Sequence, residues 1–189
     1  MDSALIVSGK GAQSDFLEEF LLQNQFTRVL SAKSAGEAKR LLLERDVDLL
    51  LINTPLSDEF GAQFAVSAAQ QGFLQVMLLV KNELFDEISE KVEDFGVFTV
   101  AKPLSRQVMF SALKLIGASQ KRMMGMQNEN DLLRQKIEDI RLVDRAKCVL
   151  IEYLKMSEAQ AHKYIEKQAM DLRQTRQEVA TAILKTYES

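Results

Sequence analysis

Between about Gln120 and Lys155 the chain sets residues alternately three and four positions apart in one series: Met123, Met126, Asn130, Leu133, Ile137 and Ile140. Two apolar positions in every seven keep a narrow stripe on one side of a helix, which is the pattern of a coiled-coil seam. Asn130 is the polar member and falls at an a position, where paired amides from two parallel helices fix register at some cost in stability. The stretch predicts a parallel homodimer; the alternative is that these side chains lie against their own domain. After Ile140 the phase changes. Val143, Ala146, Leu150 and Leu154 form a new stripe while Asp144 and Lys147 take the old seam, so the two helices are expected to part and each to enter a local bundle.

What precedes the seam follows a different rhythm. Short aliphatic runs at 4–7, 27–30, 48–52, 76–80 and 97–100 alternate with helical spacings at 16–22, 35–44, 60–70, 84–95 and onward from Ser105. The first run closes in a loop at Ser8-Gly9-Lys10-Gly11. The run at 48–52 is too short for a helix and ends at Asn53-Thr54-Pro55, so it reads as a central strand buried on both faces, with 27–30 as an edge. Five strands alternating with five helices predict an α/β domain built on a five-stranded parallel sheet, any site lying at the carboxyl ends of the strands.

Residues 1–116 resemble the receiver domain of bacterial response regulators, through the spacing from Asn53 to Gly61 and through Lys102-Pro103 after the fifth strand. The resemblance implies a phosphate-accepting aspartate at the end of the third strand, an acidic pair holding magnesium after the first, a hydroxyl ending the fourth, a lysine that contacts phosphoryl oxygens, and a cis Lys102-Pro103 bond. This chain departs from that pattern at nearly every position. Asn53 occupies the acceptor position, Ser8 and Gly9 replace the acidic pair, and Val80 replaces the hydroxyl; only Lys102 remains. Phosphoryl acceptance needs a carboxylate nucleophile and oxygen ligands for a divalent metal, and an amide supplies neither. The site is expected to be silent, a pseudo-receiver, with Lys102 making structural hydrogen bonds. Asp48 begins its strand and Asp58 belongs to the following loop, so neither is expected to accept phosphate.

Beyond Ser105 helix is expected to continue to Lys155, since Gly117 costs only about 1 kcal/mol in a helix interior. Ser157-Glu158-Ala159-Gln160 and Thr175-Arg176-Gln177-Glu178 both fit a hydroxyl N-cap with Gln or Glu three residues on, the capping box. They predict helices near 158–171 and 176–187. Ala161, Tyr164, Ile165, Ala169 and Met170 are assigned to the inner face of the first, and Val179, Ala180, Ile183 and Leu184 to that of the second. With the end of the long helix they complete a three-helix bundle.

Residues 136–187 resemble the ANTAR domain, the RNA-binding module of bacterial transcription antitermination regulators. The resemblance rests on Ala146-Lys147, Ser157-Glu158, Ala161, Tyr164 through Gln168-Ala169-Met170, and Val179-Ala180, with Cys148 where a glycine is usual and His162 where an aromatic is common. It implies a target made of paired stem-loops in a leader transcript, bound so that a terminator hairpin does not form. The candidate RNA-binding residues are Arg145, Ala146, Lys147, Arg173, Thr175 and Arg176, cations beside a helix start that favours phosphate, with Ala146 permitting close approach. The alternative is that these cations only solvate the bundle.

The domain organisation expected is 1–116 receiver-like, 117–135 coiled-coil linker and 136–189 ANTAR. Charge follows it: residues 1–117 carry 11 basic and 16 acidic groups and residues 118–189 carry 13 and 11, leaving −5 and +2. One cysteine and one histidine exclude an internal disulfide and a zinc cluster, so no cofactor is expected, and Cys148 is read as a packed thiol. No apolar run reaches membrane-spanning length and the N-terminus lacks the basic flank of a signal peptide, which points to a cytoplasmic protein. The function expected is a non-enzymatic RNA-binding antiterminator, dimeric through the seam and controlled by a regulatory protein or ligand. A coiled-coil adaptor or a DNA-binding response regulator are the alternatives, the latter disfavoured by a third helix with only Arg176 and Lys185 as long basic side chains.

Overall fold

The structure, a computed structural model, describes residues 2–9, 12–70, 72 and 74–187; Lys10 and Gly11 of the loop expected after the first strand lie outside them. The chain divides into two compact units, 1–123 and 124–189.

The first unit contains β1 (Ser3–Ser8), α1 (Ala12–Gln23), β2 (Arg28–Ala32), α2 (Ala35–Glu44), β3 (Leu49–Asn53), α3 (Ala62–Ala69), β4 (Gln75–Lys81), α4 (Phe85–Val92) and β5 (Val97–Lys102), followed by the start of α5 (Arg106–Leu154). All strand pairs are parallel, in the order β2-β1-β3-β4-β5. This is the five-stranded receiver-like sheet that the alternation predicts, with β3 central and β2 at an edge.

The sheet is covered on both faces because successive side chains point to opposite sides. Leu5, Val7, Leu50, Ile52, Val76, Leu78 and Val80 join α2, α3 and α4 in one core. Ala4, Ile6, Leu49, Leu51, Met77 and Leu79 join α1 and the start of α5 through Leu17, Phe20, Leu21, Met109, Leu113 and Ile116 in the other. Leu22 of α1 is exposed.

Helix α3 begins two residues later than its spacing suggests. Gly61 precedes it with φ at +103°, a left-handed conformation, and a Cβ there would sit 3.0 Å from Ile52 Cγ2. A residue with a side chain would face both backbone strain and a clash with the sheet core.

Helix α5 passes Gly117 without a break and runs 49 residues. In the second unit its end packs with α6 (Glu158–Leu172) and α7 (Arg176–Tyr187) around Ala146, Val149, Leu150, Ala161, Ile165, Ala169, Val179, Ala180, Ile183 and Leu184. The Ser157 hydroxyl accepts from Gln160 N while the Gln160 side chain accepts from Ser157 N, completing the predicted capping box.

Four expectations about this bundle require correction. The buried positions of α6, Ala161, Ile165 and Ala169, repeat every four residues and define a narrow stripe. Tyr164 and Met170 fall to either side of it and are exposed, Met170 by 79%. Leu154, the last residue of α5, is exposed as well. Cys148 is two residues from the buried Ala146, hence on the opposite side of α5, and its thiol is exposed rather than packed. Among the described residues no helix is long and apolar enough to cross a membrane.

The chain has no tryptophan, and all three tyrosines, Tyr153, Tyr164 and Tyr187, lie in the second unit. Ser157→Ala should therefore shift the urea midpoint read by tyrosine fluorescence, by about 1 kcal/mol, the usual worth of such a cap. The transition of the sheet unit, followed by amide exchange of β3, should stay in place; a shift there instead would mean that the cap does not act locally.

Candidate functional site

Two places gather polar side chains, and each is built by the element that carries it. The first is at the carboxyl ends of the strands. Parallel register sets Ser8 beside Asn53 and Asn53 beside Leu79. The buried Asn53 Nδ2 donates to Ser8 Oγ at 3.0 Å, and Ser8 Oγ donates to the Gly9 carbonyl at 3.1 Å. Thr54 Oγ1 donates to the Leu79 carbonyl at 2.8 Å. Lys102 Nζ donates to the Thr54 carbonyl, and the Lys102-Pro103 bond is cis, as is Thr54-Pro55. Burial and the neighbouring Lys81 hold the Lys102 ammonium below the usual lysine range. Val80 is wholly buried in the sheet core.

The two nearby aspartates are occupied elsewhere. Asp48, at the opposite end of β3, accepts from Asp2 N, Ser3 N and Ser3 Oγ at 2.7–3.1 Å. Burial alone would raise its carboxyl, but those hydrogen bonds outweigh it and hold the group below its ordinary range. Asp58 accepts from Gly36 N and Ala35 N, both at 2.9 Å, at the start of α2, and these bonds lower its carboxyl too. Among the described residues no group of three or more His, Cys, Asp or Glu is placed to hold a metal ion.

The second place is a surface pocket of about 430 Å³ in the helical unit, lined by Asp139, Ile140, Val143, Asp144 and Lys147 of α5, His162 of α6, and Thr175, Arg176 and Gln177 where α7 begins. Lys147 Nζ lies 2.7 Å from Asp144 Oδ1, one helical turn away, and 3.4 Å from Glu158 Oε1 on α6. Its side chain is only 16% exposed, and the Asp144 hydrogen bond holds its ammonium above the usual lysine range. Glu166 Oε1 lies 3.3 Å from His162 Nε2 and 3.5 Å from Arg176 Nη1. At the start of α7 the Glu178 carboxylate accepts from Thr175 N at 2.7 Å and Thr175 Oγ1 at 2.9 Å, while Thr175 Oγ1 accepts from Glu178 N.

Of the six residues singled out for nucleic acid, the pocket gathers Lys147, Thr175 and Arg176. Arg145 is exposed on α5 and Arg173 ends α6 in a left-handed conformation with φ at +53°; neither lines the pocket. Ala146 is wholly buried, so its small size serves the packing of three helices and not the approach of a ligand. The acids that hold the cations, Glu158 and Glu166, and the pocket residues Asp139 and Gln177 escape a reading of the sequence. Asp144 is the exception, because its spacing of three from Lys147 is a legible ion-pair signal. Met123, Met126, Asn130, Leu133, Ile137 and Ile140 are all exposed in the protomer, the apolar members by 44% to 62%.

Residues 131–184 match the family model of the ANTAR domain, a segment that contains the whole pocket. The chain is 27% identical over 171 residues to the transcriptional regulatory protein PdtaR of Mycobacterium tuberculosis, covering 90% of this chain and 83% of that protein. Its sheet unit superposes on the CheY-like receiver domain from Methylobacillus flagellatus with a TM-score of 0.53 at 18% identity, over 61% of this chain and 98% of that one. A receiver domain from Clostridium thermocellum gives 0.58 at 16%, over 65% and 99%. The chain thus joins a sheet unit of receiver fold to a segment that matches the ANTAR domain, and over most of its length it is similar to a transcriptional regulatory protein.

Proposed function

We propose that this protein is a cytoplasmic RNA-binding transcription antitermination regulator, dimeric through α5, whose receiver-like domain accepts no phosphoryl group and is instead biased by a regulatory protein or ligand. The observation that carries the RNA-binding reading is the coincidence of the ANTAR segment with a pocket holding Lys147, His162 and Arg176. Sequence-specific RNA recognition uses unpaired loop bases, because the A-form major groove is too narrow for side chains. A pocket of mixed polarity flanked by cations suits that task. Two such bundles on one dimer would raise avidity for a transcript bearing two hairpins through effective concentration.

The dimer is supported by the exposed heptad stripe, whose apolar area gains a partner when a second copy lies alongside in parallel, with Asn130 meeting its twin. The silent receiver is supported by the groups at its strand ends. Asn53 is an amide engaged with Ser8, and Lys102 is committed to a backbone carbonyl. A coiled-coil adaptor without nucleic-acid affinity is favoured by one observation alone: Lys147 and Arg176 already face carboxylates.

Three measurements test these parts separately. Hairpin RNA should bind with an affinity that falls steeply with salt. Lys147→Ala with Arg176→Ala should weaken it about tenfold; unchanged affinity returns the chain to the adaptor reading. Light scattering should give twice the 21.4 kDa protomer, with Ile137→Asp reducing it to one. Incubation with acetyl phosphate and magnesium should leave residues 1–116 unlabelled, and stoichiometric incorporation would overturn the silent receiver.

A further inference from the structure

Helix α5 carries a second exposed apolar feature, within the sheet unit and upstream of the heptad stripe. Val108 is 50% exposed and Leu115 65%, and they stand seven residues apart, hence on one side of the helix. The half-buried Ala112 and Ser119 complete the row. Neither Val108 nor Leu115 joins the sheet core, which takes Met109, Leu113 and Ile116 from a neighbouring side of the same turns. Scattered exposed apolar residues are ordinary on a protein surface. These two differ in their phase.

Val108, Ala112, Leu115 and Ser119 lead into Met123 at steps of four, three, four and four residues, and from Met123 the steps alternate three and four as far as Ile140. At about 100° per residue, this row and the heptad stripe keep to one side of an unbroken helix. A strict heptad extended upstream from Met123 would instead pass through Ile116 and Met109. Both are wholly buried against the sheet, so no second helix could follow that line. The two successive steps of four, meeting at Ser119, form a stutter. They make a local 11-residue repeat of about 3.67 residues per turn, which relaxes the left-handed supercoil and keeps the stripe on the open side of the helix. We propose that the second copy of the chain does not leave α5 at Met123 but continues along it to Val108, so that Val108 and Leu115 of each sheet unit pack against their counterparts. The inference rests on the dimer reading and adds the sheet unit to its contact. It gives the receiver-like domain a means of control that needs no phosphate, because whatever covers Val108 and Leu115 competes with the second copy for the same side of α5.

The test is cross-linking of the full chain carrying Cys148→Ala, so that each introduced thiol is the only one. A disulfide needs its two Cα atoms within about 7 Å, so a single cysteine joins two copies only where it meets its twin. Leu115→Cys should give a linked dimer on mild oxidation as readily as Ile137→Cys does in the seam. Phe110→Cys should stay unlinked, since Phe110 is nearly as exposed as Val108 but lies on another side of α5. In sedimentation equilibrium, Val108→Asp with Leu115→Asp should raise the dimer dissociation constant about tenfold, with amide exchange of β3 unchanged. Should the aspartates disturb the sheet, the cysteine variants decide alone. Linkage through position 137 without linkage through 115, or equal linkage through 110 and 115, would overturn the proposal and leave the dimer reading intact. A wild type of protomer mass with no linkage through 137 would overturn both.

Discussion

Helix α5 supplies side chains to two of the three cores of this protein. Met109, Leu113 and Ile116 close one core of the sheet unit, and Ala146, Val149 and Leu150 close the core of the bundle. Between these buried groups the same helix carries the exposed heptad stripe from Met123 to Ile140. Unbroken backbone hydrogen bonding across Gly117 is the condition for all three, because a helix that stopped there would have to be nucleated again before the bundle could form. A stripe repeating every seven residues suits a second helix wound alongside, since the ideal helix drifts by about 20° per heptad against such a repeat. The middle of α5 leaves this stripe exposed in the protomer, and the change of phase after Ile140 returns the helix to local packing.

The sheet unit separates what holds a receiver fold from what made it chemically active. Its stability comes from strands covered on both sides, and none of that depends on the groups at the strand ends. Those ends are closed by short contacts that use no carboxylate: an amide on a hydroxyl, a hydroxyl on a carbonyl, and a lysine ammonium on the Thr54 carbonyl. Lys102 is held there by the Thr54 carbonyl. Its desolvation is offset by a backbone acceptor, and the ammonium rests between two strand ends as a tie.

The features legible in the sequence are those carried by local pattern. Uninterrupted apolar runs at 49–52 and 76–80 announce strands buried on both faces, and the two hydroxyl caps announce where α6 and α7 begin. Misreadings occur where the answer depends on which way a helix turns. Tyr164 and Met170 look apolar enough for a core, yet the bundle takes only one residue in four from α6, with Ile165 between two small residues, Ala161 and Ala169, that let the helices approach. Ala146 shows the reverse error: a small residue beside a lysine suggests room for nucleic acid, whereas the room is taken by neighbouring helices. The pocket itself lies beyond any local pattern. Glu158 stands 11 residues from Lys147, and Asp139 shares a cavity with Arg176 and Gln177 only once three helices have packed.

The pocket's charge arrangement bears on how a regulator with so small a cationic excess would recognise RNA. Free surface cations give attraction that reaches about a Debye length and is indifferent to sequence. Here residues 118–189 carry a net +2, and Lys147 and Arg176 face Asp144, Glu158 and Glu166 at short range. Such pairing suppresses long-range attraction while fixing where each cation points, which exchanges affinity for any polyanion for discrimination among groups that enter the cavity. A single bundle built this way would bind weakly. Two joined by a common seam recover affinity through geometry, because the second site engages at the effective concentration set by the first, and only a transcript presenting two correctly spaced hairpins gains from it. On this reading, discrimination arises twice, once from the donors and acceptors within each pocket and once from the distance between pockets, and the neutralised cations are what prevent indiscriminate binding from overriding either.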